Sequence, residues 1–103
     1  MVNEKQTVFL VVIADRKKKE ELLRLLLQRG AKLINTIYAR GSVNASSIKE
    51  VFGFITEEHK VIITALLLQN TSNELLDDLI DRHNFNKPNT GIAFTIPVEG
   101  LSY

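Results

Sequence analysis

The sequence holds no cysteine. That excludes a disulfide framework, a thiolate metal site and a cysteine nucleophile, and it fits a reducing compartment. Glycine and proline are scarce, five and two residues in 103, and no internal repeat, linker or low-complexity stretch is present. Charge of one sign is not in excess. Thirteen basic and twelve acidic side chains give a net charge of +1, which is no electrostatic footprint for nucleic acid or an anionic membrane. The apolar runs, 8–14 and 61–68, are too short to span a bilayer. The opening residues MVNEKQT lack an apolar signal core, so a cytoplasmic protein not integral to the membrane is expected.

Reactive motifs are missing too. There is no serine elbow, phosphate-binding loop or histidine–carboxylate motif. Asp77 and Asp78 are adjacent, so they point in different directions and make a poor acid–base pair. No catalytic residue is expected. His59 and His83 have no second histidine at ligand spacing, and no metal site is expected. A histidine at the end of a helix is accounted for by the macrodipole, which favours its protonated form.

What is present is a pattern of apolar strands and amphipathic helices in one domain, residues 1–103. Residues 7–14, TVFLVVIA, are β-branched and apolar on both faces, which predicts a central strand. Asp15 offers an N-cap, Leu22, Leu23, Leu25, Leu26 and Leu27 give a wide apolar face, and Gly30 supplies a left-handed stop. A helix over 16–29 follows. Residues 31–40 read as a second strand. Ser47-Ile48-Lys49-Glu50 has the form of a capping box, and Ile48, Val51 and Phe52 predict a short helix over about 46–52. Residues 59–68, HKVIITALLL, read as a third strand. Thr71-Ser72-Asn73-Glu74 is a second capping-box candidate, ahead of a helix over 72–84 with Leu75, Leu76, Leu79 and Ile80 in one stripe. In 91–98, Ile92, Phe94, Ile96 and Val98 alternate with small or polar residues. Pro97 removes a ladder donor and places this last strand at a sheet edge.

The order β-α-β-β-α-β, with a short extra helix between the second and third strands, predicts an α+β fold. It is a ferredoxin-like sandwich with a four-stranded antiparallel sheet in the spatial order four-one-three-two. Two helices cover one sheet face. The other should turn polar if it meets water. Instead, Phe9, Val11 and Ile13 oppose Val8, Leu10 and Val12 on the first strand, and Val61, Ile63 and Leu67 oppose Ile62, Leu66 and Leu68 on the third. Whichever set faces the helices, large aliphatics remain on the other side, which predicts self-association through the open face. RNA binding through such a sheet needs exposed aromatics on the central strands, and the third strand has none.

Two groups of polar residues invite a binding role. Lys87, Asn89, Thr90 and Gly91, with Pro88, form a stiff turn ahead of the last strand; they meet an anion or simply connect helix to strand. Arg40, Gly41 and Ser42 follow the second strand, where Arg40 suits a phosphate or carboxylate or is a solvated edge charge. The run Arg16-Lys17-Lys18-Lys19 opposes the dipole at the start of a helix, which hints at an anionic partner; it reads first as a solvated charge run.

The β-α-β start VVIADRKKKEELLRLLLQRGA, the segment ARGSVNASSIKEVFG and the ending TGIAFTIPVEG together resemble the nitrogen-regulatory P-II signal proteins, most of all their shortened P-II-like relatives. The resemblance implies a regulator rather than an enzyme, built as a homotrimer with sheets facing inward. It implies small effectors, typically adenine nucleotides such as ATP or ADP and an oxo-acid, bound in clefts between subunits, and action on a target protein that the sequence does not name. The cleft walls would be Arg40, Gly41 and Ser42 on one side and Lys87 to Gly91, with Asn89 and Thr90, on the other. Residues 42–58 contain no tyrosine, so modification of a loop tyrosine is not expected. An amino-acid-binding module of the ACT type, or an oligomer without ligand, is the alternative; the former pairs edge to edge as a dimer.

Overall fold

The computed structural model describes residues 6–40, 59–87 and 90–100. Four strands, β1 (Thr7–Asp15), β2 (Lys32–Arg40), β3 (His59–Leu68) and β4 (Gly91–Pro97), form one sheet in the order β2-β3-β1-β4. All three strand pairings are antiparallel. A 3-10 turn (Arg16–Lys18) leads into α1 (Lys19–Gln28), and α2 (Gln69–His83) follows β3 directly. This is the expected ferredoxin-like order, with β4 and its Pro97 at an edge. The short helix expected at 46–52, with Gly41 and Ser42, lies outside the described residues, as does Asn89.

Alternation in the strands decides which side is the core. Val8, Leu10, Val12 and Ala14 of β1 and Val61, Ile63, Ala65 and Leu67 of β3 are buried. They face Leu22 and Leu26 of α1 and Leu75 and Leu79 of α2, each pair one turn apart on its helix. Chain ends are set locally. Asp15 Oδ1 accepts from the Lys17 N–H (2.8 Å), and Gly30 takes φ 77° after α1. Arg29, just past α1, donates to Glu74 (3.1 Å) and to Asp78 and so ties α1 to α2. His83 Nδ1 lies 3.0 Å from Glu21 Oε1 at the other end of the same helix pair.

Some boundaries differ from expectation. The predicted helix over 16–29 divides into the 3-10 turn and α1. The capping box at 71–74 does not form. α2 begins three residues before 72, with Leu68 at its N-cap and no side-chain cap. Ser72 is instead fully buried, and its hydroxyl donates to Gln69 O (2.8 Å). Tertiary burial overrode the local capping signal. A register shift between Lys32 and Asn35 bulges the start of β2, where Leu33 takes φ 50° and stands exposed.

Candidate functional site

The face of the sheet away from the helices is apolar. Register aligns Ile92, Ile13, Ile62 and Ile37 in one row across all four strands. A second row holds Phe94 and Val11, turning polar at Thr64 and Asn35, and a third holds Ile96, Phe9 and Leu66. Phe94, Ile96, Ile37 and Leu68 are 40%, 48%, 53% and 47% exposed, and the other aliphatics of these rows are half-buried. No described element covers them.

The described strand ends of the expected cleft walls, Arg40 and Gly91, lie at one end of the sheet. β2 ends at Arg40, whose backbone pairs with His59. β4 begins at Gly91, opposite Ala14. Because β1 and β2 run the same way, Arg40 and Gly91 share an end of the sheet but sit on opposite edges. Three strand spacings, with Arg40 two residues beyond the Gly91 row, put them about 16 Å apart. Arg40 and Gly91 of one chain are therefore not neighbours.

The turn before β4 is built by packing. α2 ends at Asn84 in the left-handed conformation (φ 59°), and Phe85 N–H returns to Leu79 O (3.0 Å). Lys87 N–H donates to Asn84 O (2.9 Å), leaving the Lys87 side chain exposed; Thr90 is half-buried. The Phe85 ring lies directly against the Cα of buried Gly91. A Cβ there would come within 2.5 Å of Phe85 Cζ. The glycine is thus required by an aromatic neighbour, which no motif in the sequence signalled.

The sequence showed Arg16 to Lys19 only as a charge run; the structure joins two of its cations through one aromatic ring. The Arg16 guanidinium lies 4.4 Å from the centroid of the Tyr38 ring, and the Lys19 ammonium 5.1 Å from it. Lys19 also donates to the Tyr38 hydroxyl, and that bond raises the amine above its ordinary value, with burial opposing. The i, i+3 spacing of Arg16 and Lys19 was a visible hint; the ring that joins them comes from β2. Among the described residues no group of three acidic, histidine or cysteine side chains could hold a metal, and no helix is long and apolar enough to cross a membrane.

The comparisons agree with this four-stranded βαββαβ sheet in fold. No family model matches the sequence, and no curated protein matches it. Solved structures do. The chain is similar to a PII-like signaling protein from Thermus thermophilus, with a TM-score of 0.66, 18% identity, and coverage of 89% of this chain and 86% of that one. It is also similar to CPII from Thiomonas intermedia bound to ADP, AMP and acetate (TM-score 0.65, 18% identity, 96% and 94% covered). A functionally unknown protein from Pediococcus pentosaceus matches at a TM-score of 0.67 and 8% identity, with 96% and 98% covered. The chain has the fold of PII-like signaling proteins.

Proposed function

We propose that this protein is a cytoplasmic PII-like regulator: a homotrimer that binds a small effector between subunits and acts by contacting a target protein. The observation that carries this is the apolar sheet face. Each large side chain there gains about 1.5–3 kcal/mol on burial, and copies of the same chain supply a cover of matching chemistry. Packing the sheets inward brings the β2 edge of one subunit toward the β4 edge of its neighbour. That unites Arg40, Gly41 and Ser42 with Lys87, Asn89, Thr90 and Gly91.

The effector in this proposal is an adenine nucleotide. The support is that CPII, alike in fold, is a complex with ADP and AMP, and that Arg40 and Lys87 offer cations to phosphates. Ligand bridging two subunits would shift the population of conformers around the cleft, and so the surface offered to the target. Regulation rather than catalysis is proposed, since solved proteins alike in fold are PII-like signaling and nitrogen regulatory proteins.

Two measurements test the proposal. Sedimentation equilibrium should give about three times the 11.6 kDa chain mass, and Phe94→Glu should yield single chains. A stable wild-type monomer, or a dimer, overturns the trimer. Calorimetric titration with ATP, ADP and AMP should show binding that Arg40→Ala and Lys87→Ala both weaken. Silence across all three nucleotides removes the effector and leaves an oligomeric scaffold.

A further inference from the structure

We propose that a second ligand site lies on the helix side of the sheet, where the β1–α1 turn meets the start of β3, and that it takes the phosphate group of a small molecule. A cavity of about 570 Å³ opens there, lined by Asp15, Arg16, Lys17 and His59. All four lie within one subunit, so the site needs no neighbouring copy. It adjoins the proposed cleft, since His59 pairs with Arg40, but it is lined from the inner strands and the β1–α1 turn rather than from the two outer edges of the sheet.

Arg16 is the centre of the site. Its guanidinium is held over the Tyr38 ring, which fixes the plane of the fork. Its Nε is shut from solvent and has no hydrogen-bond partner among the described residues. A buried donor without an acceptor is costly; a bound oxyanion would meet the Nη groups of the fork first, and a small turn of the guanidinium in its own plane would bring Nε to it. Lys17 beside it is exposed and, like Arg16, makes no salt bridge among the described residues. His59 supplies a further nitrogen from β3.

Two features of the turn favour an anion. Cations at Arg16 to Lys18 precede α1 and Lys19 opens it, where its dipole repels them, so a negative ligand relieves an unfavourable arrangement. Among the described residues, the one carboxylate lining the cavity, Asp15, is committed to the backbone through the Lys17 N–H. A phosphate carries more charge than a carboxylate and spreads its oxygens toward three directions, matching a fork, an amine and an imidazole from different positions.

The experiment is a titration of the full-length protein with inorganic pyrophosphate, followed by calorimetry and by the Arg16 Nε–H resonance, with succinate as the comparison. Saturable binding that shifts this resonance is expected, with succinate at least tenfold weaker. Arg16→Ala should lose about tenfold or more in affinity, and Arg16→Lys should not restore it, because the fork is gone. Arg24→Ala, an exposed α1 cation, removes the same charge and should leave binding within about twofold. Circular dichroism confirms that each variant is folded; if Arg16→Ala is not, Lys17→Ala and His59→Ala should each weaken binding severalfold. The inference is overturned by an unmoved Arg16 resonance, by equal losses in Arg16→Ala and Arg24→Ala, or by succinate binding as tightly as pyrophosphate.

Discussion

Replacing Gly91 by alanine separates a packing role for this glycine from a ligand-binding role. The backbone is not the obstacle: Gly91 does not have the positive φ of Gly30. The obstacle is the Phe85 ring, whose Cζ, Cε2 and Cε1 would lie 2.5, 2.7 and 2.9 Å from the new methyl. An aromatic ring has no flexible end to withdraw, and Phe85 packs against the core beside Ala93. Overpacking of this kind costs about 1–3 kcal/mol. Lower entropy of the unfolded chain returns about 0.4–1 kcal/mol. A net loss of about 1–2 kcal/mol is expected for Gly91→Ala.

Phe85→Leu alone removes part of a half-buried ring and should cost about 1 kcal/mol. In the double variant the leucine can move aside, so the combined loss should fall short of the sum by about 1 kcal/mol. Urea unfolding at one fixed protein concentration reads all four members of the cycle, since association contributes to apparent stability. Strict additivity refutes the ring-on-glycine account. If the double variant regains stability but not nucleotide affinity, Gly91 also serves close approach of the ligand.

Two further outcomes follow from the charged groups. Tyr38→Phe removes the hydroxyl that accepts from Lys19, so the raised amine should fall back toward 10.5, read by NMR titration of Lys19. The sign follows from linkage: a raised amine stabilises the fold below its ordinary value, and the benefit fades as pH climbs through the folded one, so the variant should lose less stability than wild type on going from neutral pH to above pH 10.5. Arg29→Ala breaks the tie between α1 and α2 and leaves the Asp78 side chain, 17% exposed, without its closest cation; about 0.5–1.5 kcal/mol should be lost in urea unfolding.

Much of the architecture can be read from local patterning. β3 runs over 59–68 as expected, because its residues are apolar on both faces and bounded by polar ones. Pro97 identified an edge strand before any pairing was known, since it has no donor to share with a second neighbour. Asp15 and Gly30 mark the ends of the first helical segment for equally local reasons. The start of α2 was misread because Thr71 carries the same hydroxyl whether it caps a helix or, as here, lies inside one, followed by the buried Ser72. Burial against the sheet decided between the two.

The residues of the candidate sites divide along the same line. Periodicity alone determined that both faces of β1 and β3 are apolar, because alternation in a strand maps directly onto two sides of a sheet. Register then decided that Ile92, Ile13, Ile62 and Ile37 form one continuous row. The placement of Arg40 and Gly91 on opposite edges, the Phe85 ring on Gly91, and the Arg16 and Lys19 cations on Tyr38 were also settled only by tertiary structure. Each joins groups from separate elements, and spacing along the chain carries no record of such a meeting.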